Sequence, residues 1–193
     1  MTPINRRNFI KSTAAISSLT IVSPRVAFGS KANSAIRMGI IGCGGRGTGV
    51  ISSMSRNTNT NIVAMADLFG DKLKEAKIKL DAQNREGGYP AIPESSTYVG
   101  SKAYLQLLDN KDVDAVLISS PAYTHAGFME AAASAGKHVY CEKPVSPDVA
   151  GCRKIEKVGE RFDRKLSMTV GFQIRYATPY AQMVKRIHNG DIG

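Results

Sequence analysis

The sequence predicts an α/β fold built on a parallel, doubly wound sheet. From Ile36 onward, short apolar runs alternate with stretches of helical length, which is typical of a sheet covered by helices on both faces. The first run, 36–41, leads directly into a glycine-rich turn and then into a helical stretch. An acidic residue, Asp67, ends the next apolar run. Together these features predict strands whose carboxyl ends share one edge.

Each predicted element follows from its local pattern. Apolar runs bounded by turn residues predict strands, and charged stretches with apolar residues at helical spacing predict helices. Strands are predicted at 36–41, 61–66, near Thr97, 115–119, 137–141 and 166–171, and helices at 45–55, 70–82, 102–108, 124–135, 147–162 and 180–188. Residues 83–95 contain Gly87-Gly88-Tyr89-Pro90 and predict a surface loop, either bordering the site or simply inserted.

The turn Gly42-Cys43-Gly44-Gly45-Arg46-Gly47 carries the most specific signal. Gly42 permits a tight turn, Gly44 lets the backbone approach a diphosphate, and Gly47 lets the helix pack close to the sheet. Unpaired N–H groups at the helix N-terminus favour an anion there. The pattern therefore predicts a dinucleotide site on a Rossmann-type sheet.

Asp67 lies twenty residues after Gly47, where a carboxylate can accept hydrogen bonds from the ribose hydroxyls of the adenosine half. This acid favours NAD, because the 2′-phosphate of NADP would meet a negative charge. Arg46 could soften that preference, so NADP stays an alternative.

Two further segments follow strands that end at the same edge. Ser119-Ser120-Pro121 comes after the fourth strand, with His125 near the start of the next helix. Glu142-Lys143-Pro144 follows the fifth strand. A peptide bond before proline can be cis, which would aim the Lys143 ammonium into the cleft to relay a substrate proton. Each segment alone also fits a plain turn, with Lys143 as a surface lysine.

In this order, these motifs resemble the Gfo/Idh/MocA family of NAD(P)-dependent oxidoreductases. The resemblance covers essentially everything after residue 35. It rests on the glycine turn, Asp67, the segment from Pro121 to His125, Glu142-Lys143-Pro144, Gly171-Phe172-Gln173-Ile174-Arg175-Tyr176 and Gly190-Asp191-Ile192-Gly193.

The resemblance implies a Rossmann domain at 35–172 and a second, open-faced sheet domain of which 173–193 would be the start. It also implies a sugar or polyol substrate, homo-oligomers of the full-length protein and further catalytic groups beyond Gly193. Lys143 would be catalytic, Glu142 and His125 would line the nicotinamide ribose, and Gln173 would lie near the nicotinamide ring. The candidate cofactor-binding residues are Gly42, Gly44, Gly45, Arg46, Gly47, Asp67, Ser119, Pro121, His125, Glu142 and Gln173.

Two other functions stay open. The run from Gly44 to Gly49 also resembles secreted glycosidases, similar to bacterial N-acetylgalactosaminidases, that use NAD without consuming it. In that branch the lysine of Glu-Lys-Pro is often replaced, so Lys143 favours a dehydrogenase. The third hypothesis is a nucleotide-binding protein without catalysis.

Residues 1–29 predict a twin-arginine signal peptide. Arg6 and Arg7 precede a moderately apolar stretch at 14–22, and small residues follow up to Gly29. The stretch is too short and too rich in serine and threonine for a stable membrane span. We therefore expect export by the twin-arginine machinery to the periplasm, the alternative being a disordered basic tail.

Charge and cysteine usage limit the remaining function classes. The net charge of +10 falls to +6 without residues 1–30, which hold four basic side chains and no acids. The remaining excess of positive charge is mixed with acids along helices, so no nucleic-acid partner is expected.

The three cysteines and three histidines are not spaced as metal ligands. We expect free thiols at Cys43, Cys141 and Cys152, with a disulfide as the less supported alternative, and no metal site.

Overall fold

The computed structural model describes residues 34–191, and residues from Ala35 onward form one compact unit. The predicted signal peptide at 1–29 and the last two residues, Ile192 and Gly193, lie outside the described residues.

Six parallel strands form one sheet in the order β3-β2-β1-β4-β5-β6. The chain winds outward from β1 in one direction through β2 and β3, and then returns to the other side of β1 with β4. The predicted doubly wound sheet is therefore confirmed, with its switch point between β1 and β4. The strands are β1 Ile36–Ile41, β2 Thr60–Asp67, β3 Thr97–Val99, β4 Ala115–Ile118, β5 His138–Cys141 and β6 Met168–Val170.

Helices cover both faces of the sheet. The helices are α1 Gly45–Asn57, α2 Gly70–Glu86, α3 Ala103–Asp109, α4 Ala122–Ser134, α5 Val149–Arg161, α6 Gln173–Tyr176 and α7 Thr178–His188, with a 3-10 turn at Glu94–Ser96. Side chains of β4 alternate between two buried clusters, because successive strand residues point to opposite faces. Leu117 packs with Ile51 of α1 and Leu80 of α2, whereas Val116 packs with Leu107 of α3 and Met129 of α4.

Helix α2 continues to Glu86, so the prediction of a loop from residue 83 is wrong for its first four residues. The reason is that two polar side chains of this last turn are buried and hydrogen-bonded. Gln83 Nε2 donates to Ser52 O at 2.6 Å, and Asn84 Nδ2 donates to Ile62 O at 2.7 Å. Tertiary contacts thus prolong a helix whose local composition predicts an end.

The shortened loop lies at the amino-terminal edge of the sheet, opposite the glycine turn. Tyr89 is buried there, and its hydroxyl donates to Asn59 Oδ1 just before β2. The adjacent Ile92 is also buried, and its N–H donates to Asp81 Oδ1 at 2.8 Å. The structure therefore does not support the interpretation that this loop borders the site.

The other boundaries differ by at most two residues, except for one helix that was not predicted. Helix α4 begins at Ala122, two residues early, because Pro121 (φ −58°, ψ 141°) serves as its extended N-cap. The short helix α6 has too few residues for a periodic signal. No helix among residues 34–191 is long and apolar enough to cross a membrane.

An ion pair joins β1 to β4 at the amino-terminal edge. The Arg37 side chain donates from Nε and Nη2 to the two Asp114 oxygens, at 3.0 and 2.8 Å, and its backbone N–H donates to the same carboxylate at 3.0 Å. These hydrogen bonds hold the pKa of the Asp114 carboxyl below its usual value and raise that of Arg37. Both side chains are about two-fifths exposed, which limits the stabilisation.

We predict that Asp114→Asn lowers the unfolding free energy by about 0.5 kcal/mol at pH 7. Because the native pKa of Asp114 is lowered, its contribution is present above the unfolded pKa of about 3.9 and is lost as the pH falls through the lower native pKa. Urea unfolding at pH 7 and near pH 2.5 measures this, with Asp112→Asn at the exposed end of the same cluster as the control. An equal loss at both pH values would contradict the prediction.

Candidate cofactor site

The glycine turn holds helix α1 against the ends of β1 and β4. Gly42 has φ of +94°, and a Cβ there would lie 2.7 Å from the backbone of Ser119. A Cβ on Gly47 would collide with the carbonyl oxygen of Gly42 and approach Ser119 Cβ to 3.0 Å. The predicted roles of Gly42 and Gly47, a tight turn and a close helix, match this geometry.

Gly44 and Gly45 take no part in packing and instead leave the backbone of the turn accessible. A Cβ built on either residue has no heavy atom within 4 Å, and both glycines line open clefts. Gly44 is the N-cap of α1, so the first N–H groups of the helix, which have no intrahelical partner, face this space. The turn can therefore receive an anion on its backbone amides.

A cleft of about 510 Å³ runs from this turn across the carboxyl ends of the central strands. Asp67 lies at one end, and Ser119 and Pro121 line the side that follows β4. Its other walls are mainly apolar: Leu68, Phe69, Tyr104 and Phe128. A groove of about 780 Å³ between α1 and α2 also opens at Gly44, but Asp67 does not line it. The smaller cleft thus combines the features that a dinucleotide needs.

Asp67 ties the end of β2 to the glycine turn. Its Oδ2 accepts from Cys43 N at 2.6 Å, and its Oδ1 accepts from Phe69 N at 2.9 Å. Each carboxylate oxygen has a further lone pair, and the group is only half-buried. Asp67 can therefore accept from ribose hydroxyls while both backbone contacts persist.

Arg46 points away from Asp67, towards the segments that follow β5 and β6. Its Nη2 donates to Glu142 Oε1 at 2.9 Å. In the amide orientation that satisfies both groups, Gln173 Oε1 accepts from Arg46 Nη1 and Nη2, at 2.9 Å each. Arg46 is therefore not placed to neutralise a 2′-phosphate beside Asp67, and the expected softening of the NAD preference has no support here.

The Glu142 side chain is only 5% exposed, whereas its partner Arg46 is 46% exposed. Without the guanidinium, the carboxylate would be a buried charge with no cation, which is costly. Gly171 packs against the same group, since a Cβ there would lie 3.0 Å from Glu142 Oε1 and 2.8 Å from Tyr140 Oη. Burial, and secondarily the charge of Glu142, raises the pKa of Tyr140, so its hydroxyl stays protonated at neutral pH. The roles of Tyr140 and Gly171 had no signal in the sequence.

His125 lies inside the protein, one turn into α4, and is 1% exposed. Its Nε2 lies 2.8 Å from Ser120 O and its Nδ1 lies 2.7 Å from Pro144 O. Both ring nitrogens are therefore occupied by backbone groups. The expected contact with the nicotinamide ribose stays a prediction, and the observed geometry shows a link between two loops.

Lys143 is exposed at the turn after β5, and its peptide bond to Pro144 is cis, as the sequence suggested. Among residues 34–191, no side chain or carbonyl oxygen pairs with its ammonium. Within that range, the Lys143 side chain is thus exposed and without a partner, at the edge of the sheet where the cleft also opens.

All three cysteines are free. Cys43 and Cys141 are buried beside the site, and desolvation raises the pKa of each thiol to about 12. They are small packing residues and not nucleophiles. Within the described part of the chain, no group of three or more His, Cys, Asp or Glu side chains could hold a metal ion.

Comparisons with known proteins agree with this geometry. Residues 36–170 match the model of the family GFO_IDH_MocA, described as an oxidoreductase family with an NAD-binding Rossmann fold. The chain is 34% identical over 161 residues to inositol 2-dehydrogenase 3 of Saccharopolyspora erythraea, which covers 82% of this chain and 42% of that protein.

Solved structures show the same fold. The myo-inositol 2-dehydrogenase of Lactobacillus plantarum is 26% identical, with a TM-score of 0.64 over 83% of this chain and 43% of that one. The scyllo-inositol dehydrogenase of Lactobacillus casei, solved with NAD(H) and scyllo-inositol, is 24% identical with a TM-score of 0.65, over 83% and 43% of the two chains. The present chain thus spans less than half the length of these relatives.

We predict opposite outcomes for two glycines of the same turn. Gly44→Val should cost only about 1 kcal/mol of stability, from the poorer N-cap, because a Cβ there has no heavy atom within 4 Å, but it should weaken NAD binding by about 100-fold or more by blocking the diphosphate. Gly47→Val should destabilise the fold by more than about 2 kcal/mol, because its side chain meets backbone.

Thermal unfolding and calorimetric titration with NAD separate these two effects. Unchanged NAD affinity in a folded Gly44→Val protein would contradict the assignment of the diphosphate to this turn.

Proposed function

Since this chain belongs to the Gfo/Idh/MocA oxidoreductase family, with its NAD-binding Rossmann fold, we propose that it acts as an NAD-dependent dehydrogenase on a polyol or sugar hydroxyl. The observation that carries the proposal is the exposed Lys143 at the carboxyl edge of the sheet, where the cleft also opens; its side chain has no partner among residues 34–191. The similarity to inositol dehydrogenases supports a cyclic polyol as the first substrate class to try.

The residues present fit NAD, and each has a distinct task. Backbone N–H groups at Gly44 and Gly45 would hold the diphosphate, and Asp67 would accept from the adenosine ribose. NAD, when bound, supplies the hydride acceptor for oxidation of a carbinol. Lys143, as the neutral amine, would take the hydroxyl proton of the substrate and so become the ammonium, and Glu142 would keep its place beside that lysine through Arg46.

We predict that Lys143→Ala, in the full chain, lowers kcat for polyol oxidation by about 10²- to 10⁴-fold, the range typical of a lost general acid–base group. NAD affinity should change little, because the diphosphate turn is untouched. NADH formation with a panel of inositols, and then aldoses, measures the first effect, and calorimetry measures the second.

Lys165→Ala is the matched control, since Lys165 is exposed in the connection between α5 and β6, at the opposite edge of the sheet. Full activity of Lys143→Ala would overturn the catalytic assignment of this lysine. Binding of NAD by the wild type without turnover of any sugar or polyol would instead favour a nucleotide-binding protein without catalysis. Release of an aglycone that depends on NAD, without net NADH, would instead favour the NAD-dependent glycosidase.

We further propose that residues 1–29 direct export through the twin-arginine machinery to the periplasm, with Arg6 and Arg7 as its determinants. Export of a folded protein suits a tightly held cofactor that is bound before transport and recycled on the protein. Cell fractionation tests this proposal: replacing both arginines by lysine should keep the protein in the cytoplasm, and unchanged export would refute it.

We also propose that the full-length protein forms homo-oligomers, as the family resemblance implies. A monomer in sedimentation of the full-length protein would refute that proposal.

A further inference from the structure

His125 connects two loops that no other side chain joins within residues 34–191. One is the loop after β4, through Ser120 O, and the other is the turn after β5, through Pro144 O. The two carbonyl oxygens lie 2.8 and 2.7 Å from opposite nitrogens of one buried ring. Strand pairing ends before these segments, since Glu142 N to Ile118 O is the last backbone hydrogen bond between the two chain stretches.

Both partners of the ring can only accept hydrogen bonds, because they are carbonyl oxygens. Any hydrogen bond to them is therefore donated by His125, and the ring makes both bonds only when both nitrogens carry a proton. With a proton on one nitrogen, it holds one loop only. A non-polar ring of similar size would fill the same space and hold neither loop.

Lys143 needs such a support because its own side chain has no partner among the described residues. The direction of its ammonium is consequently set by the backbone of the turn. Pro144 O, which His125 binds, belongs to the residue directly after Lys143. Glu142, on the other side, is already held by Arg46 at 2.9 Å.

We propose that His125 is a positioning residue for Lys143: it binds Pro144 O and Ser120 O and so fixes the turn that carries Lys143 against the loop after β4. This inference rests on the proposed function for its catalytic consequence, but its structural part stands independently. It gives His125 an action through the backbone, and the direct contact with the nicotinamide ribose stays a separate prediction.

The structural part is tested by hydrogen exchange of the full chain carrying His125→Phe. Peptides that cover 119–124 and 142–148 should exchange about fivefold to tenfold faster, the change expected from the loss of one to two hydrogen bonds. Met129→Ala is the matched control, because Met129 is equally buried one turn further along α4 and contributes apolar packing to the sheet instead of hydrogen bonds to the loops. It should leave exchange in these two peptides unchanged relative to the rest of the chain.

His125→Gln provides a second variant that can still donate to one of the two loops, and its exchange should fall between wild type and His125→Phe. Unchanged exchange of both peptides in a folded His125→Phe or His125→Gln protein would overturn the inference.

The catalytic part is tested by a double-mutant cycle on kcat. His125→Phe alone should lower kcat by about tenfold to a hundredfold with little change in KM for NAD, because a small misplacement of a catalytic group costs rate. In a Lys143→Ala background, the same substitution should cost nothing further. A full additional loss in the double variant would show that His125 acts independently of Lys143, and would refute the inference.

Absence of dehydrogenase activity in the wild type would refute the proposed function only. Hydrogen exchange would then decide alone whether His125 holds the two loops.

Discussion

The close approach of helix α1 to the ends of β1 and β4 is the constraint on which the rest of the structure depends. Gly47 lies against the Gly42 carbonyl and Ser119, at a distance that excludes any Cβ. Only this approach brings the helix N-terminus to the point where the strand order reverses, and there it leaves a cleft open between the loops that follow β1 and β4. Packing and anion binding are thus two consequences of one short contact.

The site is then held together by three polar links between loops, each from a single side chain. Asp67 binds the turn after β1, Arg46 binds the segments after β5 and β6, and His125 binds the loops after β4 and β5. Charge is distributed unevenly along this edge of the sheet. Asp67 has no cationic partner among the described residues, whereas Glu142 is paired with Arg46. At that other end, Lys143 has no partner among residues 34–191, and its neutral amine would receive the substrate proton.

Most of the fold was accessible from the sequence because its signals are local. The strand, glycine turn and helix at 36–57, and the cis bond at Lys143-Pro144, depend on neighbouring residues. The length of α2 did not follow, since Gln83 and Asn84 make its last turn helical through contacts with Ser52 and Ile62.

Local sequence signals and long-range contacts also distinguish the glycine turn with Asp67 from the part of the site around Arg46 and His125. Gly42, Gly44, Gly47 and Asp67 follow a known spacing, so the tight turn at Gly42 and the close helix at Gly47 could be predicted, and the ligand contacts of Gly44 and Asp67 stay predictions. The direction of Arg46 could not, because its partners lie 96 and more positions away and depend on how β5 and β6 are aligned with β1. For His125 the sequence showed a residue near the site, and only the burial of its ring and the two carbonyl oxygens revealed what it holds.

A titration of the isotopically labelled chain with NAD, followed by backbone amide NMR, tests the central claim most directly. The account predicts that the largest shifts fall on the amides of Gly44, Gly45 and Arg46, with a second set around Asp67. Shifts concentrated on Arg56 and Lys79, in the groove between α1 and α2, would contradict it. So would the absence of any shift at saturating NAD.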